Sequence, residues 1–251
     1  MIKIISCSTK EEVAKHAADV MTDVIKAKPD AVVGLATGSS PVGMYAELAK
    51  RCNNGEISFK DIKSVNLDEY VGLGEESDQS YVYFMKENLF SKVDIKLENT
   101  NLPNGLASDP VAECKRYDAL IESLGGVDIQ VLGIGNNGHI GFNEPSDIFP
   151  YGTGVVELTD STIEANSRFF ASRDLVPTRA ISMGIGQIMS AKKILLIAMG
   201  KAKAPILEAA VFGEVTPSVP ASILRFHSGE VTVVADDEAL SVIREKHPGV
   251  V

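Results

Sequence analysis

The stretch DIQVLGIGNNGHIGFNEP at residues 128–145 is the strongest single indication of the fold class. Its first seven residues, 128–134, form a short and mostly apolar run, which is typical of a strand buried on both faces of a parallel sheet. Gly141 and Pro145 make the residues that follow a poor helix. A buried strand that leads into a polar, glycine-rich loop places that loop at the carboxyl end of a sheet, where α/β proteins bind ligands.

Similar apolar runs recur along the chain and alternate with helical patterns. The other predicted strands lie at residues 2–6, 31–36, 64–67, 194–199 and 231–235. Thr9 with Glu12 forms a capping box before one helical pattern, and Asp109 with Pro110 opens another. This alternation predicts an α/β fold with a doubly wound, mostly parallel sheet and helices on both faces. We expect residues 1–251 to form a single catalytic domain.

The composition argues against several classes of function. The formal net charge is −10, whereas nucleic-acid binding draws most of its affinity from Lys and Arg. No apolar run approaches the roughly 20 residues of a membrane helix, and the apolar start of the chain is too short for a signal peptide. Cys7, Cys52 and Cys114 form no C-x-x-C pair and suit a reducing compartment. We expect a cytoplasmic monomer or small homo-oligomer that has no membrane or nucleic-acid partner.

A short loop after the strand at 31–36 has the composition of an anion site. It consists of Thr37, Gly38, Ser39 and Ser40. Small hydroxyl side chains and a glycine let backbone N–H groups approach an anion, and the helix that is predicted to begin with Ser40 as its N-cap adds its dipole. The loop lacks the Gly-Lys-Ser/Thr ending of a P-loop. We interpret it as a phosphate cradle, with an ordinary N-cap turn as the alternative.

Two carboxylates, Asp68 and Glu69, follow the strand at 64–67. Successive side chains of a strand point to opposite faces, so only one of them is expected to face the crevice. A solvated acidic pair at the end of a strand is the alternative interpretation.

The loop after residue 134 contains a pattern that resembles a dinucleotide-binding motif. Gly133, Gly135 and Gly138 match G-x-G-x-x-G, and Glu157 lies near the offset of a ribose-binding acid. That motif requires a helix that opens at its third glycine, and the sequence after Gly138 does not favour one. We therefore do not expect NAD to bind, and no cofactor is predicted.

His139 lies in the same loop, with Glu144 five residues further on. A histidine that is oriented by a carboxylate can act as a general base, and a purely structural histidine is the alternative. No second His or Cys lies at ligand spacing, so a metal site is not expected.

Two cations complete the candidate site. Arg168 has no other Lys or Arg before it as far back as Arg116, and Lys203 lies at the start of a helix after the strand at 194–199. Cations at such positions suit phosphate binding, and surface solvation is the alternative for each.

Four segments together are similar to the glucosamine-6-phosphate deaminase family. They are Ala36-Thr37-Gly38-Ser39, Asn66-Leu67-Asp68-Glu69-Tyr70, Gly138-His139-Ile140-Gly141-Phe142-Asn143-Glu144-Pro145 and Asn166-Ser167-Arg168-Phe169-Phe170. The resemblance extends in order from about residue 30 to residue 225. It implies a Rossmann-like fold and conversion of a small-molecule sugar phosphate, glucosamine 6-phosphate, to fructose 6-phosphate and ammonia.

The resemblance also implies roles for the candidate residues. Asp68 would be the base that removes the C2 proton, and His139 with Glu144 would open the sugar ring. Residues 37–40 with Arg168 and Lys203 would hold the phosphate.

The sequence departs from the family pattern at two places. Some members have Asp where this chain has Asn137, which we count among the catalytic residues because its amide can still orient its neighbours. Members activated by an acetylated amino-sugar phosphate have basic residues soon after Asn-Glu-Pro, whereas this chain has none between Glu144 and Arg168. We therefore expect hyperbolic kinetics without that activation.

Two other functions remain as alternatives. A hydrolase similar to 6-phosphogluconolactonase would share the fold and bind a sugar phosphate, but it needs no base at C2. A sugar-phosphate sensor would keep the cradle without the chemistry.

Overall fold

The computed structural model describes residues 2–167, 170 and 172–250 of the chain. Within these residues, seven strands form one sheet in which every pair of neighbours is parallel. From one edge to the other they are β1 (Ile2–Cys7), β10 (Glu230–Asp236), β9 (Lys193–Ala198), β6 (Ile129–Leu132), β2 (Val32–Leu35), β3 (Lys63–Asn66) and β5 (Thr100–Asn101). All residues of β2 and β6 are buried, so both faces of the sheet are covered.

The order of the strands creates a crevice in the middle of the sheet. From β2 the chain proceeds outward to β3 and β5, whereas β6 pairs with the other side of β2 and is followed by β9 and β10. The direction of winding therefore reverses between β2 and β6. In doubly wound sheets, ligands bind at such a reversal, outside the carboxyl ends of the strands.

A second, antiparallel sheet adjoins the main sheet at the end of β3. In the described part of the chain it contains three strands in the order β4 (Asp68–Tyr70), β8 (Arg179–Ser182) and β7 (Gly154–Glu157). Only Leu67 separates β3 from β4, and Asp68 pairs with Ser182 across the sheet. Asp68 therefore lies on a second strand, whereas the sequence placed it just after the end of a strand.

Helices connect the strands and cover the sheet. They are α1 (Lys10–Ala27), α2 (Val42–Asn53), α3 (Tyr81–Asn88), α4 (Pro110–Ser123), α5 (Asp160–Ser167), α6 (Ile185–Met189), α7 (Ala204–Phe212) and α8 (Ser241–Lys246). Short 3-10 turns occur at Phe90–Lys92, Leu97–Asn99, Arg173–Leu175, Lys201–Lys203 and Pro220–Phe226. None of the described helices combines the length and the apolarity needed to cross a bilayer.

Local capping explains where two of these helices begin. Thr9 Oγ1 accepts the N–H of Glu12 at 3.1 Å, and the Glu12 carboxylate accepts the N–H of Ser8 at 2.7 Å. Asp109 Oδ1 accepts the N–H groups of the second and third residues of the α4 segment, each at 3.0 Å. Both starts agree with the sequence, because an N-cap oxygen satisfies N–H groups that have no partner inside the helix.

The predicted fold class is confirmed, and each of the six predicted strands agrees with an observed strand to within two residues. The predicted start of α2 is wrong. Pro41 occupies the N-cap position and Ser40 makes no capping hydrogen bond, because the Ser40 hydroxyl faces the loop after β6 near Gly133. The sequence also did not predict β5, β4, β7 or β8, which are short and carry no apolar run.

Candidate active site

A cavity of about 860 Å³ opens at the carboxyl ends of β2, β3 and β6, where the winding of the sheet reverses. Residues predicted from the sequence to form the site line it together: Thr37, Gly38, Ser39, Ser40, Asp68, Asn137, His139 and Lys203. Glu144 lies behind His139 and does not line the cavity itself. Arg168 lies outside the described residues. The structure therefore brings the described candidates to one place.

The loop after β6 presents His139 to the cavity because its glycines leave room for the ring. A Cβ atom at Gly135 would lie 2.4 Å from Cε1 and Nε2 of His139, so no side chain larger than hydrogen fits beneath the imidazole. The N–H of Gly135 donates to the His139 carbonyl at 2.9 Å, and Gly138 adopts φ of +89°. The G-x-G-x-x-G pattern thus forms a compact loop around a histidine, and no helix begins at Gly138.

Glu144 is the centre of a polar network behind the imidazole. His139 Nδ1 lies 3.2 Å from Glu144 Oε1, but the ring N–H is not aligned for a linear hydrogen bond. Thr162 donates to the same oxygen at 2.6 Å, and the Asn137 amide donates to the other carboxylate oxygen. Burial opposes ionisation of Glu144, but the contacts with His139, Thr162 and Asn137 outweigh it and lower its pKa from 4.5 to about 2.

Asn137 connects this network to the backbone of the loop. Its Oδ1 accepts the N–H of His139 at 3.2 Å while its Nδ2 donates to Glu144. A neutral amide therefore fixes the position of the histidine relative to the carboxylate without adding charge.

Asp68 borders the same cavity as His139 and is 6% exposed. Among the described residues, no hydrogen-bond donor reaches its carboxylate. Burial, and in second place the negative charge of Glu69, raise the pKa of Asp68 from 3.8 to about 8. A Cβ at Gly141 would lie 3.7 Å from Asp68 Oδ2, so the backbone of the His139 loop passes directly beside this carboxylate.

Glu69 does not line the cavity, as the alternation of side chains along a strand requires. It is 2% exposed, and its two oxygens accept backbone N–H groups from Tyr70, Tyr81 and Val82. Of the adjacent acidic pair, only Asp68 is therefore open to a ligand.

The loop after β2 also borders the cavity and has the features expected of an anion site. Gly38 adopts φ of +85°, which turns the backbone so that residues 37–40 all border the cavity. Lys203 lies immediately before α7 and borders the same cavity. Hydroxyl groups, backbone amides and a cation thus border the same cavity as Asp68 and His139.

Several residues of the site were not predicted from the sequence. Tyr81 borders the cavity beside Thr37 and stacks near Phe142, with ring centroids 6.2 Å apart. Thr162 belongs to α5 and reaches Glu144 from a separate element. Neither residue belongs to a sequence motif whose spacing indicates catalysis or binding, so the sequence contains no local signal for them.

The fold and the site define a class: an α/β protein with an acid–base centre for a small polar ligand at the switch point of a doubly wound sheet. The comparison with known families is more specific. The chain belongs to the family of glucosamine-6-phosphate isomerases and 6-phosphogluconolactonases, whose family model matches residues 7–233.

Individual relatives agree with this assignment. A glucosamine-6-phosphate deaminase of Clostridioides difficile (strain 630) is 52% identical over 245 residues, which cover 98% of each chain. The structure of a monomeric glucosamine-6-phosphate deaminase has a TM-score of 0.93 at 47% identity and covers 96% of this chain and 99% of that one. A 6-phosphogluconolactonase from Trypanosoma cruzi has a TM-score of 0.77 at 19% identity and covers 96% of each chain, which shows the shared fold alone.

Proposed function

We propose that this protein converts glucosamine 6-phosphate and water to fructose 6-phosphate and ammonia, by isomerisation followed by deamination. The observation that carries the proposal is the Asp68 carboxylate, which is buried, has no described hydrogen-bond donor and borders the same cavity as His139. Relatives about half identical to this chain over nearly its whole length are glucosamine-6-phosphate deaminases, which supports the same reaction.

The first step is the opening of the pyranose ring. His139 accepts the proton of the anomeric hydroxyl and delivers a proton to the ring oxygen, which breaks the bond between C1 and that oxygen. Glu144, ionised because its pKa is about 2, stabilises the imidazolium from 3.2 Å. Asn137 and Thr162 fix the orientation of Glu144 through their hydrogen bonds.

The second step transfers a proton from C2 to C1. Asp68 in its ionised form removes the C2 proton, and the electron pair forms a C1–C2 double bond while the aldehyde oxygen takes a proton from the substrate's ammonium group and becomes a hydroxyl. Asp68 then returns the proton to C1, which leaves an iminium group at C2. Water adds to C2, ammonia departs, and fructose 6-phosphate results. A carboxylate with a pKa of about 8 suits both halves of this transfer, because a base works best near its operating pH.

The phosphate group would lie against residues 37–40 and Lys203. Backbone amides, hydroxyls and an ammonium group are the donors that phosphate prefers. Arg168 is proposed as a further phosphate ligand on the basis of its motif.

The test is ammonia release from glucosamine 6-phosphate by the purified protein, with Asp68→Asn and a matched control. Asp61→Asn removes the same charge at a side chain that is 64% exposed and does not line the cavity. We expect release by the wild type and Asp61→Asn, and loss of both ammonia release and exchange of the C2 proton with D₂O in Asp68→Asn. Equal activity in Asp68→Asn would remove Asp68 from its role. If none of the three proteins releases ammonia and the wild type hydrolyses 6-phosphogluconolactone, the protein is a lactonase and the proposed deaminase function is wrong.

Three further expectations concern the domain organisation, the oligomeric state and the location of the protein. We propose a single catalytic domain, a monomer or small homo-oligomer, and a cytoplasmic location. The free thiols of Cys7, Cys52 and Cys114 support a reducing compartment.

A further inference from the structure

Glu69 is a buried ionisable group to which the proposed mechanism assigns no role. Its side chain is 2% exposed, yet it accepts three backbone N–H groups: from Tyr70 at 2.8 Å, Tyr81 at 3.0 Å and Val82 at 2.9 Å. A carboxylate that is this deeply buried costs free energy unless such partners compensate it. The arrangement therefore indicates that the Glu69 carboxylate has a role other than packing.

The partners of Glu69 identify it as a link between two elements. Tyr81 and Val82 are the first two residues of α3, whose N–H groups have no partner inside the helix. Ser80 satisfies a third such group by accepting the N–H of Tyr83 at 3.2 Å. Glu69 thus fastens the first turn of α3 to β4, the strand that carries Asp68, and the positive end of the helix dipole favours its charge.

The first turn of α3 is also a wall of the cavity. Tyr81 borders the cavity together with Thr37 from the loop at residues 37–40, and its ring centroid lies 4.8 Å from that of Tyr70. A displacement of this turn would therefore alter the cavity that Asp68 and residues 37–40 also border.

We propose that Glu69 is a positioning residue for the deamination: it holds the cavity wall formed by α3 against the strand of Asp68 and keeps a negative charge beside that carboxylate. This inference rests on the proposed function for its kinetic part only.

The charges at this site support the second part of the proposal, that Glu69 keeps a negative charge beside Asp68. Burial raises the pKa of Glu69 to about 6, although its three N–H partners act in the opposite direction, so that it is largely ionised at neutral pH. A neighbouring like charge disfavours ionisation of Asp68. Among the described residues, the other ionisable groups that interact with Asp68 or border its cavity are Tyr70, Asp78, Tyr81, Tyr117, His139 and Lys203.

The test compares Glu69→Gln with Ser80→Ala across a pH series. Glutamine keeps an oxygen that can accept N–H groups but loses the charge, and its NH₂ group opposes one of the three donors. We expect the acid limb of kcat/KM to move to lower pH by about one unit, since removal of a like charge eases ionisation of Asp68. Ser80→Ala weakens the same helix start without changing charge, and its acid limb should stay at the wild-type position. An unshifted limb in Glu69→Gln, or the same shift in both variants, would overturn the proposal.

A direct titration keeps the inference testable if Glu69→Gln fails to fold. In wild-type protein with carbon-13 labelled carboxyls and no substrate, Asp68 and Glu69 should titrate as a coupled pair in two macroscopic steps. A single Asp68 step in the ordinary aspartate range would overturn the inference. Because no substrate is present, this measurement stands apart from ammonia release, which alone decides the proposed function.

Discussion

Replacement of Gly135 by alanine tests whether the position of the His139 ring limits the reaction. The new methyl group would lie 2.4 Å from two atoms of the imidazole and 2.6 Å from a third. Carbon atoms pack at about 3.5–4.0 Å, so the ring must retreat by about 1 Å. The φ of Gly135 is not positive, so alanine introduces no backbone strain, and the three atoms nearest to the new methyl group all belong to the imidazole.

The expected loss follows from the size of that displacement. A shift of about 1 Å in a catalytic group costs on the order of 100-fold in rate, and here it also disturbs the 3.2 Å contact between His139 and Glu144. We expect kcat for ammonia release from glucosamine 6-phosphate to fall by about 100-fold in Gly135→Ala, while KM changes little because the phosphate contacts remain.

Gly133→Ala is the matched control in the same loop. Its φ is also not positive, and its added Cβ would meet only Ser40, with Oγ at 3.5 Å, an ordinary van der Waals distance. Circular dichroism and melting curves would establish that both variants fold. If Gly135→Ala keeps a kcat within about threefold of Gly133→Ala, the argument that the ring position limits the reaction is refuted.

Four further outcomes are expected. The wild-type kcat/KM should fall about tenfold per pH unit below pH 8, because free Asp68 must be ionised to act as base; a flat profile from pH 6 to 8 would contradict this. Asp68→Asn should have a higher melting temperature than the wild type at pH 8.5 and the same one near pH 4. The pKa of Asp68 is about 8 in the folded state and 3.8 ordinarily. The wild type therefore loses stability as the pH rises from about 3.8 to about 8, by at most about 1.4 kcal/mol per pH unit, whereas the asparagine variant does not. Thr162→Val should lower kcat about tenfold by removing a donor from Glu144, and Thr162→Ser should restore it; equal rates for the two would exclude that donor as the cause. Substrate curves should be hyperbolic and unchanged by N-acetylglucosamine 6-phosphate, which initial rates with and without that compound would check.

The sequence predicted the main sheet well because its strands are encoded locally. A run of apolar residues between glycines and helical patterns indicates a strand buried on both faces wherever it lies in the chain. The strands of the antiparallel sheet have no such local sequence pattern. Asp68 pairs with Ser182, more than one hundred residues away, and β4 and β7 carry polar or half-buried residues that read locally as loop.

The candidate site divides in the same way. His139 and Glu144 were predicted because a short glycine-rich loop places them five residues apart. Thr162 and Tyr81 were not, because each reaches the site from a helix of its own. The correction at Ser40 has a related cause, since its hydroxyl faces a loop from another strand instead of the helix that follows it.

The sequence by itself determined the fold class, the family resemblance and the chemical groups at the ends of the strands, because each depends on neighbours within a few residues. Tertiary structure alone decided that Asp68 faces the cavity while Glu69 is turned into the protein to hold α3. It also decided how strongly each carboxylate holds its proton. Burial and the approach of distant donors set that property, and they exist only once the chain has folded.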